Sequence, residues 1–503
     1  MRAPSPRPRG GARCLARLSL AALVGAVLLA AAPAWAAGRR AYGGSLRVPV
    51  GDFLGVRDPH AARTPSQRLA ASLAHGRLLR DRGAGFAGAL AQGPGTFARG
   101  TLSLRLRPTA RFHDGARVRS SDVVASLRRA THRGPLGPLV AALRVEAGVP
   151  GEVRVRGPRG ARAGVLRALL ARPELAILEG GCPGLGRGCG PFRPDQPQGK
   201  SLDLLAYDAF SLGRPWLDRV RLVQVSDAHA QVSGLRFGAL DLAWAPSVAY
   251  RGVDTRDLGS WRTVFLVPAA RWRGAGARGL RRRLARLAAA RSLAPYVPWK
   301  VAPGTTLLPP GLGGGEARSP KGAAVTSPGS VLTLAFPAGD PVLASLARVL
   351  RDRAASGLGR EARVVPVEGL DDAGAAAPAA GESAAWDFAL VTVDWAATHP
   401  ALARWELAAR FAAGPGAPLW LSGRASGAQG AGPSLARAVL RGRGRRWLAA
   451  ATASQGVVPV LHARRRAFAR RGTALAVRGG ASPWPSGGAA ADGPALDWTW
   501  VRP

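Results

Sequence analysis

Thr101 to Arg129, reading TLSLRLRPTARFHDGARVRSSDVVASLRR, is the stretch in which strand, turn and helix signals succeed one another without a gap, so it demands a fold that joins sheet to helix. Leu102, Leu104 and Leu106 alternate with Ser103, Arg105 and Arg107, the period-2 pattern of a strand with one buried and one wet face. Pro108 ends it. Phe112-His113-Asp114-Gly115 reads as a tight turn, with Asp114 able to bond the backbone ahead and Gly115 free to take positive φ. A helix follows: Ser120 or Ser121 can accept its first N–H groups, Asp122 suits the positive first turn, and Val123, Val124 and Leu127 make one apolar face. A second unit fixes the class. Val331 to Phe336 reads as a strand, Pro341 to Ala355 as a helix stopped by Gly357 to Gly359, and Arg363 to Val367 as a strand. That order demands a crossover and hence a parallel pair, the mark of an α/β fold.

In the first stretch the sequence resembles the family 5 extracellular solute-binding proteins of ABC importers, the group of dipeptide, oligopeptide and nickel binders. The family's hallmark is a strand ending in Leu-Arg, an aromatic five residues after that Arg, an Asp-Gly pair, and an Asp-Val or Asp-Phe pair opening a helix. Here these are Leu106-Arg107, Phe112, Asp114-Gly115 and Asp122-Val123.

The resemblance continues along the chain. Gly44-Ser45-Leu46-Arg47-Val48 is similar to the family's opening strand, Asp58-Pro59 to the element by which the chain leaves the first lobe, and Gln67 to Leu79 to a helix ending in a Leu-Leu pair. Glu152 to Val155 reads as a strand and Ala163 to Leu170 as a helix closed by Pro173. Gly188-Cys189-Gly190-Pro191-Phe192 resembles the Gly-x-Gly-Pro-Tyr/Phe turn that returns to the first lobe. Ser201 to Tyr207 and Asp218 to Val225 alternate like paired strands around Gly213-Arg214-Pro215. Ala230 to Phe237 is a helix closed by Gly238, and Leu240 to Trp244 a further strand. Thr263 to Pro268 looks like the crossing strand, Gly279 to Leu293 a very basic helix, Ala373 to Ser383 a surface loop, and Asp387 to Val393 a buried strand. Val457 to Val460 and Asp497 to Trp500 match the return to the first lobe.

The resemblance implies an α/β, two-lobed type II periplasmic-binding-protein fold with an extra subdomain in the N-terminal half. Its boundaries are a signal peptide at 1–36, lobe I at 37–58, 181–262 and 472–503, the extra subdomain (lobe II) at 59–180, and lobe III at 263–471.

Export is expected from the N-terminus itself. Arg2, Arg7, Arg9, Arg13 and Arg17 precede an apolar run from Leu18 to Ala32, and Ala34-Trp35-Ala36 offers the small residues a signal peptidase reads, with cleavage after Ala36. The run is shorter than the roughly 20 residues a spanning helix needs. Cys14 precedes it, where an acylated lipoprotein cysteine would follow it, so the expectation is an unlipidated periplasmic protein. Cys182 and Cys189 flank a short Gly/Pro loop with no further ligand at metal spacing, and read as a disulfide. So small a loop would contribute roughly 2.5 kcal/mol.

The formal net charge of +41 invites a nucleic-acid or acidic-polymer partner. Against it, lysine occurs only at Lys200, Lys300 and Lys321, asparagine is absent and Ile177 is the sole isoleucine, which points to GC-rich coding that favours arginine everywhere. The arginines are spread along the whole chain, with local clusters at Arg281 to Arg283, Arg441 to Arg446 and Arg464 to Arg466. Specific nucleic-acid binding is therefore not expected.

Catalytic constellations with correct spacing are missing from the sequence. There is no His-Glu-x-x-His, Gly-x-Ser-x-Gly or Ser-x-x-Lys, and Gly199-Lys200-Ser201 fails as a phosphate loop because Pro194 stands at the first Gly position. The family resemblance implies a monomeric, non-enzymatic protein without cofactor or metal. It would capture a peptide-like or anionic small solute between lobes and present it to a membrane ABC permease. Peptide-binding members use a Trp followed shortly by an acid that pairs with the peptide's amino terminus; here Trp395 is followed by Ala-Ala-Thr-His, leaving Asp394 as the substitute. Trp395, Asp394, Trp244, Phe265 and Trp272 are the expected ligand-contacting residues. The alternative is an exported cationic protein that keeps the fold, has lost its ligand site and associates with acidic polymers.

Overall fold

The computed structural model describes residues 43–470 except for gaps, the longest at 245–252, 313–330, 371–385, 412–430 and 444–456. The expected signal peptide, the return segment 472–503 and the loop Ala373 to Ser383 lie outside the described residues.

In chain order the strands are β1 (Ser45–Val50), β2 (Leu79–Asp81), β3 (Phe86–Gly88), β4 (Thr96–Ala98), β5 (Thr101–Arg105), β6 (Arg144–Ala147), β7 (Glu152–Arg156), β8 (Phe192–Pro194) and β9 (Ser201–Ala206). They continue as β10 (Arg219–Gln224), β11 (Leu242–Ala243), β12 (Val253–Pro268), β13 (Val301–Pro303), β14 (Leu332–Pro337), β15 (Ala362–Val367), β16 (Phe388–Asp394) and β17 (Val458–Arg470). The main helices are α1 (Pro65–Ala74), α2 (Ser120–Ala130), α3 (Gly137–Ala141), α4 (Ala163–Leu170), α5 (Ala228–Arg236), α6 (Arg278–Leu287), α7 (Pro341–Leu358), α8 (Pro400–Phe411) and α9 (Ala431–Leu440).

Three sheets carry the fold. The first has the order β1-β10-β9-β8, with β1 parallel to β10 and the other pairs antiparallel. Its inward residues Leu46, Val48, Leu204, Val220 and Leu222 pack on Leu69 and Leu73 of α1. That helix starts where Thr64 Oγ1 accepts from Gln67 N at 3.2 Å and Gln67 Oε1 accepts from Thr64 N at 3.1 Å, a reciprocal cap. It ends at Ala74, short of the expected Leu79: Leu78 is buried beyond the helix and Leu79 opens β2.

The second sheet, β4-β5-β7-β6, is wholly antiparallel and packs Leu102, Leu104, Val153 and Val155 beneath α2. Neither Ser120 nor Ser121 caps α2. The cap position is Arg119, whose N–H donates to Asp122 Oδ2 at 2.8 Å, so Asp122 both caps the helix and faces its positive end.

The third sheet runs β11-β17-β12-β16-β14-β15, with β13 on β17. β14 is parallel to both β15 and β16, as the strand–helix–strand pattern requires. Asp340 caps α7, accepting from Val342 N and Leu343 N at 3.0 Å each, and Gly359 stops it at φ 60°. Alternate residues point to opposite faces: Val264, Leu266, Leu334, Phe388 and Leu390 meet α6 and α7, while Phe265, Ala335, Ala389, Val391 and Val393 share a core with α8 and α9. That second core continues into the antiparallel sheet's helices, because α9 packs on α3 and both α8 and α9 pack on α4. α6 stops at Leu287, before the expected Leu293. No helix among the described residues is long and apolar enough to cross a membrane.

Candidate ligand-binding site

Two strands tie the first sheet's core to the third's. β12 and β17 pair antiparallel from Val253↔Arg470 to Leu266↔Val458. At one end Ala469 pairs with Leu242 and packs with Leu46 and Val48; at the other, Val460, Leu461 and Ala463 belong to the core under α6 and α7. Register shifts fall between Asp257 and Trp261 and between Val264 and Phe265, and such irregularities bend and twist a ribbon locally.

Four of the five expected ligand residues lie on or beside the β12–β16 pair. Trp395, just past β16, is 1% exposed, and its Nε1 donates to Thr263 Oγ1 at 2.6 Å. Thr263 Oγ1 lies 2.7 Å from His462 Nδ1, and His462 Nε2 lies 3.0 Å from the Thr306 carbonyl. The carbonyl can only accept, so Nε2 carries the ring proton. Nδ1 then accepts from the Thr263 hydroxyl, whose oxygen is left to accept from the indole. Burial pushes the His462 pKa down to about 4, which keeps the ring neutral and the chain of donors pointing one way.

Asp394 is held by Arg262, directly across the ladder, through two bonds of 2.8 and 2.9 Å. The same guanidinium stands 3.9 Å from Asp340 at the head of α7. Phe265 is fully buried. Trp272, near the opposite end of β16, is half-buried; its Nε1 donates to Asp387 Oδ1 at 2.6 Å and its ring stacks on Phe388 at 6.2 Å. Trp244 stands apart, at the end of β11. It is half-buried against the first core, its Nε1 donating to the Pro49 carbonyl at 2.8 Å and its N–H to Gln231 Oε1 at 3.0 Å. Expected as cleft walls, Phe265 and Trp395 are instead core side chains, and Asp394 is already paired. Trp244 and Trp272 keep exposed surface.

The hallmark residues hold the antiparallel sheet onto the first one. Leu106, Phe112 and Val123 are buried, and Arg107 Nε donates to the Ala89 carbonyl at 2.8 Å. Asp114 Oδ1 accepts from Ala116 N at 2.9 Å, and Gly115 takes φ 93°. His113 Nε2 donates to the Gly190 carbonyl at 3.0 Å, and Tyr207 Oη to the Phe112 carbonyl at 2.7 Å. Gly190 is required there, since a Cβ would come 2.5 Å from the Ala74 carbonyl carbon. Pro191 beside it is buried, and its carbonyl accepts from Tyr207 N at 2.9 Å. His75 Nε2 and His60 Nε2 donate likewise to the carbonyls of Val56 at 2.7 Å and Ala176 at 2.9 Å. His60 Nδ1 accepts from Arg129, which also clasps Asp58 through bonds of 2.8 and 2.6 Å. The partners of Arg262 and these histidines escape sequence reading because they lie 19 or more residues away; only the apolar setting of each polar residue signals a buried role.

The expected Cys182–Cys189 disulfide is not formed. Both thiols are free: Cys182 is exposed, whereas Cys189 is buried with Sγ 3.5 Å from the Ile177 carbonyl. The glycine-rich loop turns one cysteine out as the other turns in, and burial pushes the Cys189 thiol up to about 12. Among the described residues, no group of three or more His, Cys, Asp or Glu could hold a metal ion.

Residues 87–258 match the model of the bacterial extracellular solute-binding proteins, family 5 Middle, a span from β3 into β12. No curated protein matches the sequence. Among solved structures, the oligopeptide-binding protein AppA from Bacillus subtilis, in complex with a nonapeptide, aligns at 15% identity over 92% of this chain and 100% of its own, with a TM-score of 0.65. NikA from Staphylococcus aureus, in complex with Ni(L-His)2, aligns at 14% identity over 86% of this chain and 95% of its own, with a TM-score of 0.62. The periplasmic binding protein DppA from Helicobacter pylori, in complex with peptide STSA, aligns at 13% identity over 86% and 95%, with a TM-score of 0.62. The fold is thus the two-lobed type II architecture of periplasmic binding proteins. Within that class residues 87–258 are similar to the family 5 extracellular solute-binding proteins, in line with the ordered motifs.

Proposed function

We propose that this chain is the exported solute-binding component of an ABC import system. It captures a small solute between lobe I (37–58, 181–262 and 472–503) and lobe III (263–471), with 59–180 as the extra subdomain, and presents it to a membrane permease. It makes and breaks no bonds. The observation that carries this reading is the bulged β12–β17 ribbon, which joins two separate α/β cores in a chain whose middle matches family 5. Two strands crossing between packed cores are a hinge, and hinge closure around a ligand is how such proteins work.

The solute is peptide-like or anionic. Relatives of this fold hold peptides. Capture of a free amino terminus by Asp394 would have to displace Arg262 from a two-pronged ion pair, so a solute anchored by its backbone or by an anionic group fits this chain better. Trp244 and Trp272 are the aromatic residues proposed to meet it.

Calorimetric titration of residues 37–503 with peptide and small-anion libraries tests the proposal. One saturable site per chain, with an affinity for neutral solutes that hardly changes with salt, is the expected result. Silence up to millimolar solute, together with binding to acidic polymers that collapses as salt is added, would replace it with the polymer-associated alternative.

A further inference from the structure

The extra subdomain is fastened on two sides, and the two fastenings differ in kind. Toward the first sheet it is held by His113 Nε2 donating to the Gly190 carbonyl, by Tyr207 Oη donating to the Phe112 carbonyl and by chain connections. His113 is almost fully buried, and separation would strip the partner from a group that water barely reaches. Toward the third sheet the contact is made by α8 and α9 against α3, α4 and the segments beside them, over a shared apolar core. Trp405 Nε1 on α8 donates to the Pro135 carbonyl at 2.9 Å, Arg162 N donates to the Leu440 carbonyl at 3.0 Å, and Glu406 Oε1 meets Arg172 Nη2 at 2.8 Å.

The ionic contact crosses the boundary through one carboxylate. Arg172 and Glu174 are each 1% exposed and bonded to one another at 2.7 Å, and Glu174 also takes Arg68 Nε of α1 at 2.7 Å. Those three groups all lie within residues 59–180. Glu406 is contributed from the other side, and it lies at the margin, 12% exposed. When Glu406 leaves, Arg172 keeps Glu174 and Glu174 keeps both arginines, while Glu406 passes into water. Two arginines are then left on the one Glu174 carboxylate, a buried excess of positive charge that opposes opening, so the contact favours the closed state.

Resting on the solute-binding reading above, we infer that Trp405 and Glu406 on α8, with Pro135 and Arg172 on the subdomain, form a clasp that is made when the lobes close and broken when they open. The clasp adds to the closed state a contact remote from any solute, and so sets how far the protein closes unliganded. A two-state protein shifts its population by the differential contact energy alone, so weakening the clasp favours the open form.

The test uses the full mature chain, residues 37–503, with no solute added. In a Cys182→Ser background, spin labels go on Val149→Cys in the β6–β7 turn and Ser356→Cys on α7, both exposed positions. Pulsed dipolar distances are then compared for the parent, Glu406→Gln and Trp405→Phe. Trp405→Phe should raise the ratio of long to short distances about fivefold, the worth of one ordinary hydrogen bond, and Glu406→Gln, which removes the charge facing Arg172, at least as much. Arg351→Gln, at an exposed ion pair on α7, should leave it unchanged. Unchanged distances in both variants, with native circular dichroism, would overturn the clasp and leave the solute-binding reading standing. If one variant does not fold, the other decides. Failure of the calorimetric titration would leave these distances unaffected.

Discussion

His113 Nε2 donates to the carbonyl of Gly190 at 3.0 Å, across 77 residues of chain, and so joins the Asp-Gly turn of one sheet to the Gly-Pro turn of another. The contact is close because Gly190 lies against the backbone of Leu73, Ala74 and His75, where a Cβ would meet atoms at 2.5 to 2.6 Å. Gly190→Ala therefore forces backbone apart and should cost about 1–3 kcal/mol or more. Gly115→Ala meets open space and carries only the strain of φ 93°, about 1 kcal/mol. Urea unfolding of both variants checks the order; equal losses would contradict it.

Four histidines of this kind, His60, His75, His113 and His462, are lowered by burial from 6.5 to about 4. Each is neutral in the folded chain and takes up a proton more readily when unfolded. Their contribution is fully present above the unfolded value of 6.5 and is lost as pH falls through about 4. Stability measured by urea titration should therefore decline steeply between those limits. Constant stability from pH 7 to pH 4 would contradict the neutral, buried assignment.

Trp395 serves as the end of the donor chain through Thr263 and His462. Trp395→Phe keeps a ring in the core but removes the donor to Thr263 Oγ1, for a loss of about 1–2 kcal/mol. Trp395→Ala empties a fully buried site and should cost about 3–5 kcal/mol. Chemical denaturation monitored by circular dichroism measures both; a Trp395→Ala protein as stable as the parent would place this side chain outside the core.

Free cysteines give a simple readout. In residues 37–503 one thiol, Cys182, should react with a maleimide in native buffer, and Cys189 only after denaturation. Absence of any reactive thiol before reduction would show that the pair is bonded after all.

Much of the fold is legible in the sequence because its strands are apolar and alternating and its helices bear stop signals. Ala163–Leu170 and Leu332–Pro337 fall where periodicity puts them, and Gly359 stops α7 as expected. β12 is different. Its first ten residues, VDTRDLGSWR, carry charges and a glycine without an apolar run, and only pairing with β17 makes them a strand. β17 was likewise readable only at Val457 to Val460, since Arg464 to Arg466 look like a solvated cluster. The ligand residues were harder still. An aromatic in a strand is equally a core residue or a cleft wall, and which one it is depends on neighbours such as Thr263 and His462, 199 residues apart, that no local pattern announces. The cysteines misled for a similar reason: their spacing permits a bond, but the burial of Cys189 beneath Ile177 is a tertiary fact.

The central claim is that two cores joined by the β12–β17 ribbon close on a solute. Small-angle scattering of residues 37–503, with and without the solute selected by calorimetry, measures it directly. The radius of gyration should fall on saturation, and the maximum dimension with it. Superimposable curves for the free and the saturated protein would contradict closure about that ribbon.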